Sequence, residues 1–471
     1  MDIGTFRKHG HEFVDWIADY LRDIESFPVL SLAKPGDTRG RLPGVPPEAA
    51  EPVDRIFADF KDVVLPGITH WQHPGWHAYF PANNSPASIL AEMLTAGLGA
   101  QCMVWQTSPA AAELEDLTLD WLRQLLGLPP GFVGTIQDTA STATLCALVS
   151  ARERASDFGV NEEGFGRPLV VYASREAHSS VEKGAKVAGF GRRNVRFIET
   201  DENFALVPAA LEEAVARDEA AGLQPACVVA TLGTTSSTAV DPLRAVGETA
   251  ARHGLWLHVD AAYAGTAALC PENRWFLDGV ELADSFVFNP HKWMLTNFDC
   301  SAYFVKDPGT LIRSFEIHPE YLKTGVDPCV KNYRDWGIQL GRRFRALKLW
   351  FVIRSYGAEG LRAMVREHQR LARLFKGWVE AEPDFELLAP VPFGLVCFRW
   401  NDGRRAEDEL DAFNKSLLER INSSGRFYLT HTALRGKFAL RMVVGQRTTE
   451  ERHVRAAWEA VASAARELGR P

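Results

Sequence analysis

Asp284-Ser-Phe-Val-Phe-Asn-Pro-His-Lys-Trp293 is the stretch on which the reading of this chain turns. The run DSFVF is short, apolar and β-prone, so it predicts a buried strand. Asn289-Pro290 ends that strand, because proline has no N–H with which to continue a ladder. Lys292 therefore stands just past a strand end, between His291 and Trp293. An amine held there, partly desolvated and beside other cationic groups, loses proton affinity and becomes a nucleophile near neutral pH. A second apolar run, Leu255-Trp-Leu-His-Val-Asp260, leads into Ala-Ala-Tyr-Ala-Gly265 and ends on a carboxylate. In α/β sheets the ligand crevice lies outside the carboxyl ends of the strands. Each residue alone has an ordinary reading, as a surface lysine and a helix-capping aspartate. Together they open a second one: a lysine to capture a carbonyl group and an acid to protonate a pyridine nitrogen, as pyridoxal phosphate chemistry requires.

The pattern around these two runs gives the fold class. LVVYAS at 169–174, VRFIET from Val195, ACVVATLGTT at 226–235 and CSAYFV at 300–305 are further strand candidates. Helical patterns near Val181–Ala188 and Leu243–His253 fall between them. Such alternation predicts an α/β fold with a mostly parallel central sheet and right-handed crossovers. Residues 87–128 read as helical up to Pro129-Pro130-Gly131, and Val133–Thr144 reads as the opening of a small-residue helix running to about Arg154. Phe13, Trp16, Ile17, Tyr20, Leu21 and Ile24 recur at helical spacing and form an apolar stripe with no compact neighbour before residue 50. Beyond about Leu361 come long charged helices and the strand runs FGLVCFRW and KFALRMVV. Three parts are expected: an N-terminal helical segment 1–86, a large cofactor-binding domain 87–360 and a smaller C-terminal α+β domain 361–471.

Composition narrows the partners. A net charge of −8 without any basic block argues against nucleic acid. Cysteines 102, 146, 227, 270, 300, 329 and 397 form no CxxC pair, which suits reduced thiols in a cytoplasmic protein. The N-terminus has no apolar leader core and no run approaches a membrane span, so a cytoplasmic location off the membrane is expected. His70, His73 and His77 lie in the aromatic stretch Ile68–Pro81, but no carboxylate or cysteine completes a metal-ligand set there, and no metal is expected. The flat side chains of that stretch suit an aromatic-walled pocket. Hydroxyls and free amides at the helix start near Thr139–Thr144 suit a phosphate.

His258-Val-Asp-Ala-Ala-Tyr-Ala-Gly265, Asn289-Pro-His-Lys-Trp293 and the run LGRRFRALKLWFVIRSYG at 340–357 resemble the pyridoxal-phosphate-dependent aromatic L-amino acid decarboxylases, or group II decarboxylases. The resemblance runs from about Phe13 to about Arg466. Glutamate decarboxylases share the HVDAA and NPHK pieces, while Tyr263 and Trp293 fit the aromatic branch better. The resemblance implies the aspartate aminotransferase-like fold (fold type I), pyridoxal 5'-phosphate as cofactor, and a homodimer in which the N-terminal segment packs on the partner. It implies that Lys292 attaches the cofactor, Asp260 keeps its ring nitrogen protonated, His178 stacks on its ring, and Tyr321 protonates the α-carbon. Thr139, Ala140 and Ser141 would hold the phosphate, with Ser285, Asn289 and His291 as further cofactor contacts. Thr231 would meet the ring oxygen and Ala262 would lie under the ring. Asp138 stands where many relatives carry glycine, and its carboxylate is expected to turn away from the phosphate as an N-cap.

Trp71, Tyr79, Phe80 and Pro81 match positions that line the substrate ring, and Ala82, Gln101, Met103 and Gly341 match positions that tune the site, the last three across the subunit interface. The implied reaction is decarboxylation of an aromatic L-amino acid of the tryptophan, phenylalanine, tyrosine, DOPA or 5-hydroxytryptophan type. Space at Gly341 and a missing hydroxyl at Ala82 favour tryptophan or phenylalanine-type substrates. Relatives with phenylalanine at the position of Tyr321 tend to be aldehyde synthases, so this tyrosine favours amine formation. An aromatic acetaldehyde synthase is the first alternative, and an inactive binding protein on the same fold is the second. The stretch from His318 to Asn332, with Gly325 and Pro328, has no helical or strand period and is expected to be a lid carrying Tyr321.

Overall fold

The structure, a computed structural model, describes residues 1–317 and 329–469. The chain divides into two compact units, one of Ala82–Arg373 with Leu388–Cys397, the other of Met1–Pro81 with Leu374–Leu387 and Phe398–Pro471. The expected three parts follow different lines. The N-terminal residues share a unit with C-terminal ones, and the boundary expected at 360 falls inside the helix Arg345–Ala381, which breaks its geometry only at Gly357 (φ 62°).

The larger unit is built on a seven-stranded sheet. In sheet order its strands are Val133–Gln137, Ser301–Val305, Ser285–Phe288, Trp256–Asp260, Gln224–Thr231, Leu169–Ser174 and Val195–Ile198. Ser301–Val305 is antiparallel to both neighbours, and the pairings from Ser285–Phe288 to Val195–Ile198 are parallel. The central strands are mostly apolar and buried nearly end to end, as expected where helices cover both faces of a parallel sheet. Leu148 and Ala151 of the helix Ala140–Ala155 pack with Val181 and Ala185 of Ser180–Val187 onto Val171, Ala173 and Val229. Gly184 allows that approach, since a Cβ there would lie 2.9 Å from Leu148 Cδ1.

Two sequence expectations are corrected. Val133–Gln137 is an edge strand and not the start of a helix, because its β-branched run pairs with Ser301–Val305; the helix begins at Ala140. Residues 87–128 form two helices, Pro86–Leu98 and Pro109–Leu126, separated where Gly99 turns left-handed (φ 58°).

In the other unit, strand Trp76–His77 runs parallel to Tyr428–Leu434, which pairs antiparallel with Lys437–Val443. The helix Ile3–Arg22 finds neighbours within its own unit: Phe13 meets Phe57 at 4.6 Å, Trp16 meets Phe60 at 5.3 Å, and Tyr20 meets Phe27 at 5.3 Å between ring centroids. Ile3 and Phe6 remain exposed. The three histidines of the aromatic stretch are engaged singly: His70 Nδ1 with Tyr20 Oη (2.8 Å), His73 Nδ1 with the Gly75 N–H (2.8 Å) and His77 Nδ1 with Val443 O (2.9 Å).

Burial pushes the imidazoles of His73, His77 and His258 down to about 4, and that of His291 to about 3 with Lys292 adding to the effect. In the unfolded chain each takes up a proton near pH 6.5. The folded state binds fewer protons in that window, so stability held above about pH 6.5 is lost as pH falls toward 4. The four groups act in the same direction, so their effects on the slope add. Urea midpoints measured across that range are expected to fall steeply with acidification, and His77→Gln is expected to flatten the curve.

Candidate active site

Parallel pairing brings the carboxyl ends of three strands together. Thr231 stands opposite Asp260, and Asp260 opposite Val287, one residue before the end of its strand. The chain then leaves through Asn289 into a single turn, Pro290–Trp293, that carries Lys292. Lys292 N–H donates to Asn289 O at 2.9 Å, and Lys292 O accepts from the backbone N–H of Asn83 at 3.3 Å and from its Nδ2 at 3.1 Å. His291 is fixed beside it, its Nδ1 accepting the Cys300 N–H at 2.9 Å.

The charged groups of this edge act on one another. Burial pulls the half-buried Lys292 amine below the usual lysine range, with the Asp260 carboxylate pushing back. Burial also lowers the His178 imidazole, with Asp260 opposing and Lys292 adding to the fall. His178 Nδ1 lies 2.8 Å from Ser180 Oγ and accepts the Ser180 N–H at 3.2 Å, so its Nε2 is the outward nitrogen. Asp260 Oδ1 accepts the Ala262 N–H at 3.0 Å. Thr231 N–H donates to Asp241 Oδ2 at 2.7 Å, and burial pushes that carboxyl up to about 7. Thr231 Oγ1 is buried and has no hydrogen-bond partner among the described residues.

Ala262 packs against the apolar cluster that includes Ala140, Ala143 and Val287. Thr139 is the N-cap, its Oγ1 accepting the Thr142 N–H at 3.4 Å. Asp138 does not take that role. Its Oδ1 accepts the Thr139 N–H at 2.6 Å and approaches the Thr139 hydroxyl at 3.3 Å, because the tight turn between strand and helix folds the carboxylate back. Ser141 is exposed and Asn289 Oδ1 accepts the Ser301 hydroxyl at 2.6 Å.

Ser285 is not brought to this edge. It pairs with His258, two residues inside the sheet from Asp260, and its Oγ accepts Trp256 Nε1–H and meets His258 Nδ1, each at 2.8 Å. Two residues along a strand place it in the sheet interior, where its hydroxyl is engaged by Trp256 and His258.

Residues 35–401 match the pyridoxal-dependent decarboxylase conserved domain. The chain belongs to the pyridoxal-dependent decarboxylase family. It is 47% identical to phenylacetaldehyde synthase of Arabidopsis thaliana, across 98% of this chain and 96% of that one. It is 45% identical to tyrosine decarboxylase 2 of Narcissus pseudonarcissus, across 98% and 93%. The fold matches the crystal structure of Oryza sativa TDC with PLP and tryptamine at a TM-score of 0.97 and 41% identity, covering 100% of this chain and 99% of that one. The fold is therefore fold type I, the cofactor is pyridoxal phosphate, and the enzyme is a carboxy-lyase. Among the described residues no helix is long and apolar enough to cross a membrane.

The other residues singled out in this decarboxylase fall into two groups. In the larger unit Gln101 and Gly341 meet: Gln101 Oε1 accepts the Arg342 N–H at 2.6 Å, and a Cβ at Gly341 would lie 3.5 Å from Gln101 Nε2. Met103 O accepts the Arg334 N–H at 2.8 Å, and Ala82 directly precedes Asn83. In the other unit Trp71 stacks near Trp76 (4.0 Å) and Tyr79 (6.0 Å). Tyr79 takes a positive φ of 50°, the Arg441 guanidinium lies 5.5 Å over the Phe80 ring, and Pro81 packs where a Cβ on Gly445 would come within 2.9 Å. Tyr321, with most of the expected lid, lies outside the described residues.

Sequence reasoning missed three supports. Asn83 holds the Lys292 carbonyl; Tyr428 joins the aromatic group, its Oη 3.3 Å from Tyr79 Oη; and buried Arg342 pairs with Glu115 (2.6 and 3.1 Å) while also donating to Thr135 Oγ1 and Ile136 O. Arg342 lies in the LGRRF motif, but its partner stands 227 positions away, and no local pattern marks it.

Proposed function

We propose that the chain converts an aromatic L-amino acid to the corresponding arylalkylamine and CO₂, with Lys292 as the cofactor-attaching lysine. One observation carries the reading: a half-buried lysine with depressed proton affinity acts electrostatically on His178 and feels Asp260, at adjoining strand ends.

The residues present fit pyridoxal phosphate. The Lys292 amine suits the carbonyl, and the Asp260 carboxylate suits a protonated pyridine nitrogen. The unpartnered Thr231 hydroxyl beside Asp260 suits the ring oxygen. The start of the helix Ala140–Ala155, with Thr139 and Ser141, suits the phosphate. When bound there, the cofactor supplies the sink for the electron pair left on the α-carbon as CO₂ departs. Asp260 holds the proton at the pyridine nitrogen, which keeps that sink strong. His178 presents Nε2 toward the substrate carboxylate, and Tyr321 delivers the proton to the α-carbon from its hydroxyl. Trp71, Tyr79, Phe80 and Pro81 supply the flat wall for the substrate ring, and Ala82, Gln101, Met103 and Gly341 tune it toward tryptophan or phenylalanine-type side chains.

The second reading is the aldehyde synthase, favoured by the likeness to phenylacetaldehyde synthase. It consumes O₂ and water and releases aldehyde, CO₂, ammonia and peroxide. Tyr321 weighs against it, since a ready proton closes the α-carbon before oxygen does. An inactive binding protein would have no need to keep Lys292, Asp260, His178 and Tyr321 together.

The enzyme is further proposed to be a cytoplasmic homodimer. Leu90, Met93, Leu94 and Leu98 lie exposed at helical spacing on Pro86–Leu98, with Ile338 and Leu340 also exposed in the same unit. Such a stripe is commonly an interface.

Lys292→Ala is expected to abolish turnover and leave no borohydride-reducible adduct; full activity with an adduct on another lysine would overturn the assignment. Asp260→Asn is expected to fold yet lose at least about a hundredfold in kcat, and a loss within threefold would refute the electron-sink role. Wild-type enzyme incubated with aromatic amino acids is expected to give amine without peroxide, whereas Tyr321→Phe diverts product to aldehyde with peroxide. Clean amine from that variant at wild-type rate would mean that the proton comes from elsewhere. Light scattering is expected to give a dimer for the wild type and an inactive monomer for Leu94→Glu combined with Leu98→Glu; an active monomer would refute the homodimer.

A further inference from the structure

Trp293 follows Lys292 by one peptide bond and is fully buried. Its indole lies between two other buried rings. Tyr263 stacks on it at 4.9 Å and 12°, and His368 lies near-parallel at 6.2 Å and 15°. Trp293 Nε1–H donates to His368 Nδ1 at 2.8 Å. An indole nitrogen only donates, so Nδ1 of His368 must be the acceptor, and the proton of the neutral ring then sits on Nε2. A protonated His368 could not accept this bond.

The placement of these rings matters because they act on the turn that carries the lysine, beside the backbone bonds to Asn83 and Asn289. The turn Pro290–Trp293 is four residues long and too short to hold its own direction. Tyr263 stands three residues beyond Asp260, and His368 lies on the helix Arg345–Ala381. The indole therefore joins the Lys292 turn to the segment after Asp260 on one face and to a long helix at its N–H edge. The stacked contact resists tilting of the turn, and the directional hydrogen bond resists its rotation.

We propose that His368 is a positioning residue for Lys292, acting through Trp293 to fix the orientation of the lysine relative to Asp260. This rests on the reading of Lys292 as the cofactor-attaching residue, and the two can fail separately. Borohydride reduction of the wild-type holoenzyme followed by peptide mapping reports where the cofactor attaches; an adduct elsewhere overturns that reading whatever the variants do.

The test of His368 uses His368→Leu, which removes the acceptor, and His368→Asn, whose Oδ1 can replace Nδ1. The readouts are the pH titration of the visible absorption of the holoenzyme, the labelling rate of Lys292 in the cofactor-free protein, and the split between kcat and KM. His368→Leu is expected to move the titration midpoint by about half a pH unit or more, change the labelling rate, and lower kcat about tenfold with KM within about twofold. His368→Asn is expected to restore all three. A His368→Leu enzyme that titrates and labels like wild type overturns the proposal, as does an equal shift in both variants, which would make His368 a packing residue only. If His368→Leu does not fold, Trp293→Phe decides, since it keeps a flat ring against Tyr263 and removes the donor: the same shifts support the proposal and wild-type behaviour overturns it.

Discussion

The site depends on the register of three parallel strands, Gln224–Thr231, Trp256–Asp260 and Ser285–Phe288. Parallel pairing aligns like ends, so one edge of the sheet collects Thr231, Asp260 and the turn bearing Lys292. Their interiors contribute Val228, Val229, Leu257, Val259, Phe286 and Val287, all fully buried, and a slip of one residue would turn every one of them to the opposite face. The same burial that locks the register desolvates the groups at its end. A lysine amine and a carboxylate placed there cannot rely on water, and each changes the proton affinity of its neighbours. The stability of the sheet and the reactivity of the edge thus have one cause.

That register is also pinned from the far end. Asp284, immediately before the strand, accepts the Leu257 N–H at 2.8 Å and takes Arg154 Nη1 at 2.6 Å. Strand and helix are tied at the end opposite the chemistry, so the reactive end inherits their alignment. The Arg342–Glu115 pair does similar work for the segment around Gly341. A buried ion pair recovers its desolvation cost only when its remaining hydrogen bonds are met, and Thr135 Oγ1, Ile136 O and Ile136 N meet them. The result is directional: Gln101 is held against the backbone of Arg342, beside Gly341, where a Cβ would make ordinary contact with its amide.

Tyr79 stores strain in the aromatic group, with φ at 50° in a residue that has a large side chain. Arg441 Nη1 bonds Thr430 Oγ1, which in turn accepts the Tyr79 N–H, so a buried cation supports the strained backbone. Strain of this kind persists where the surroundings over-determine it, which suits a residue proposed to face substrate.

The strands, their order along the chain and the residues just past their ends were legible in sequence, because apolar runs closed by Asn-Pro or by a lone carboxylate report burial and termination locally. The lysine and the aspartate could be singled out for the same reason, since the chemistry needs those residue types beside strand ends, whereas the histidine was marked by the family resemblance. What failed were features set by contacts between distant segments. Val133–Gln137 resembles a helix start until Ser301–Val305 lies beside it. Asp138 reads as a cap until the turn folds its carboxylate onto Thr139. The sequence by itself determined the α/β class and the cofactor chemistry, and it marked the side chains proposed to react, through local pattern and family resemblance. Only the tertiary structure decided which of those side chains share an edge, that Asn83 bonds the Lys292 carbonyl, and where the chain divides, because register and pairing are energies of contact between segments that no single stretch encodes.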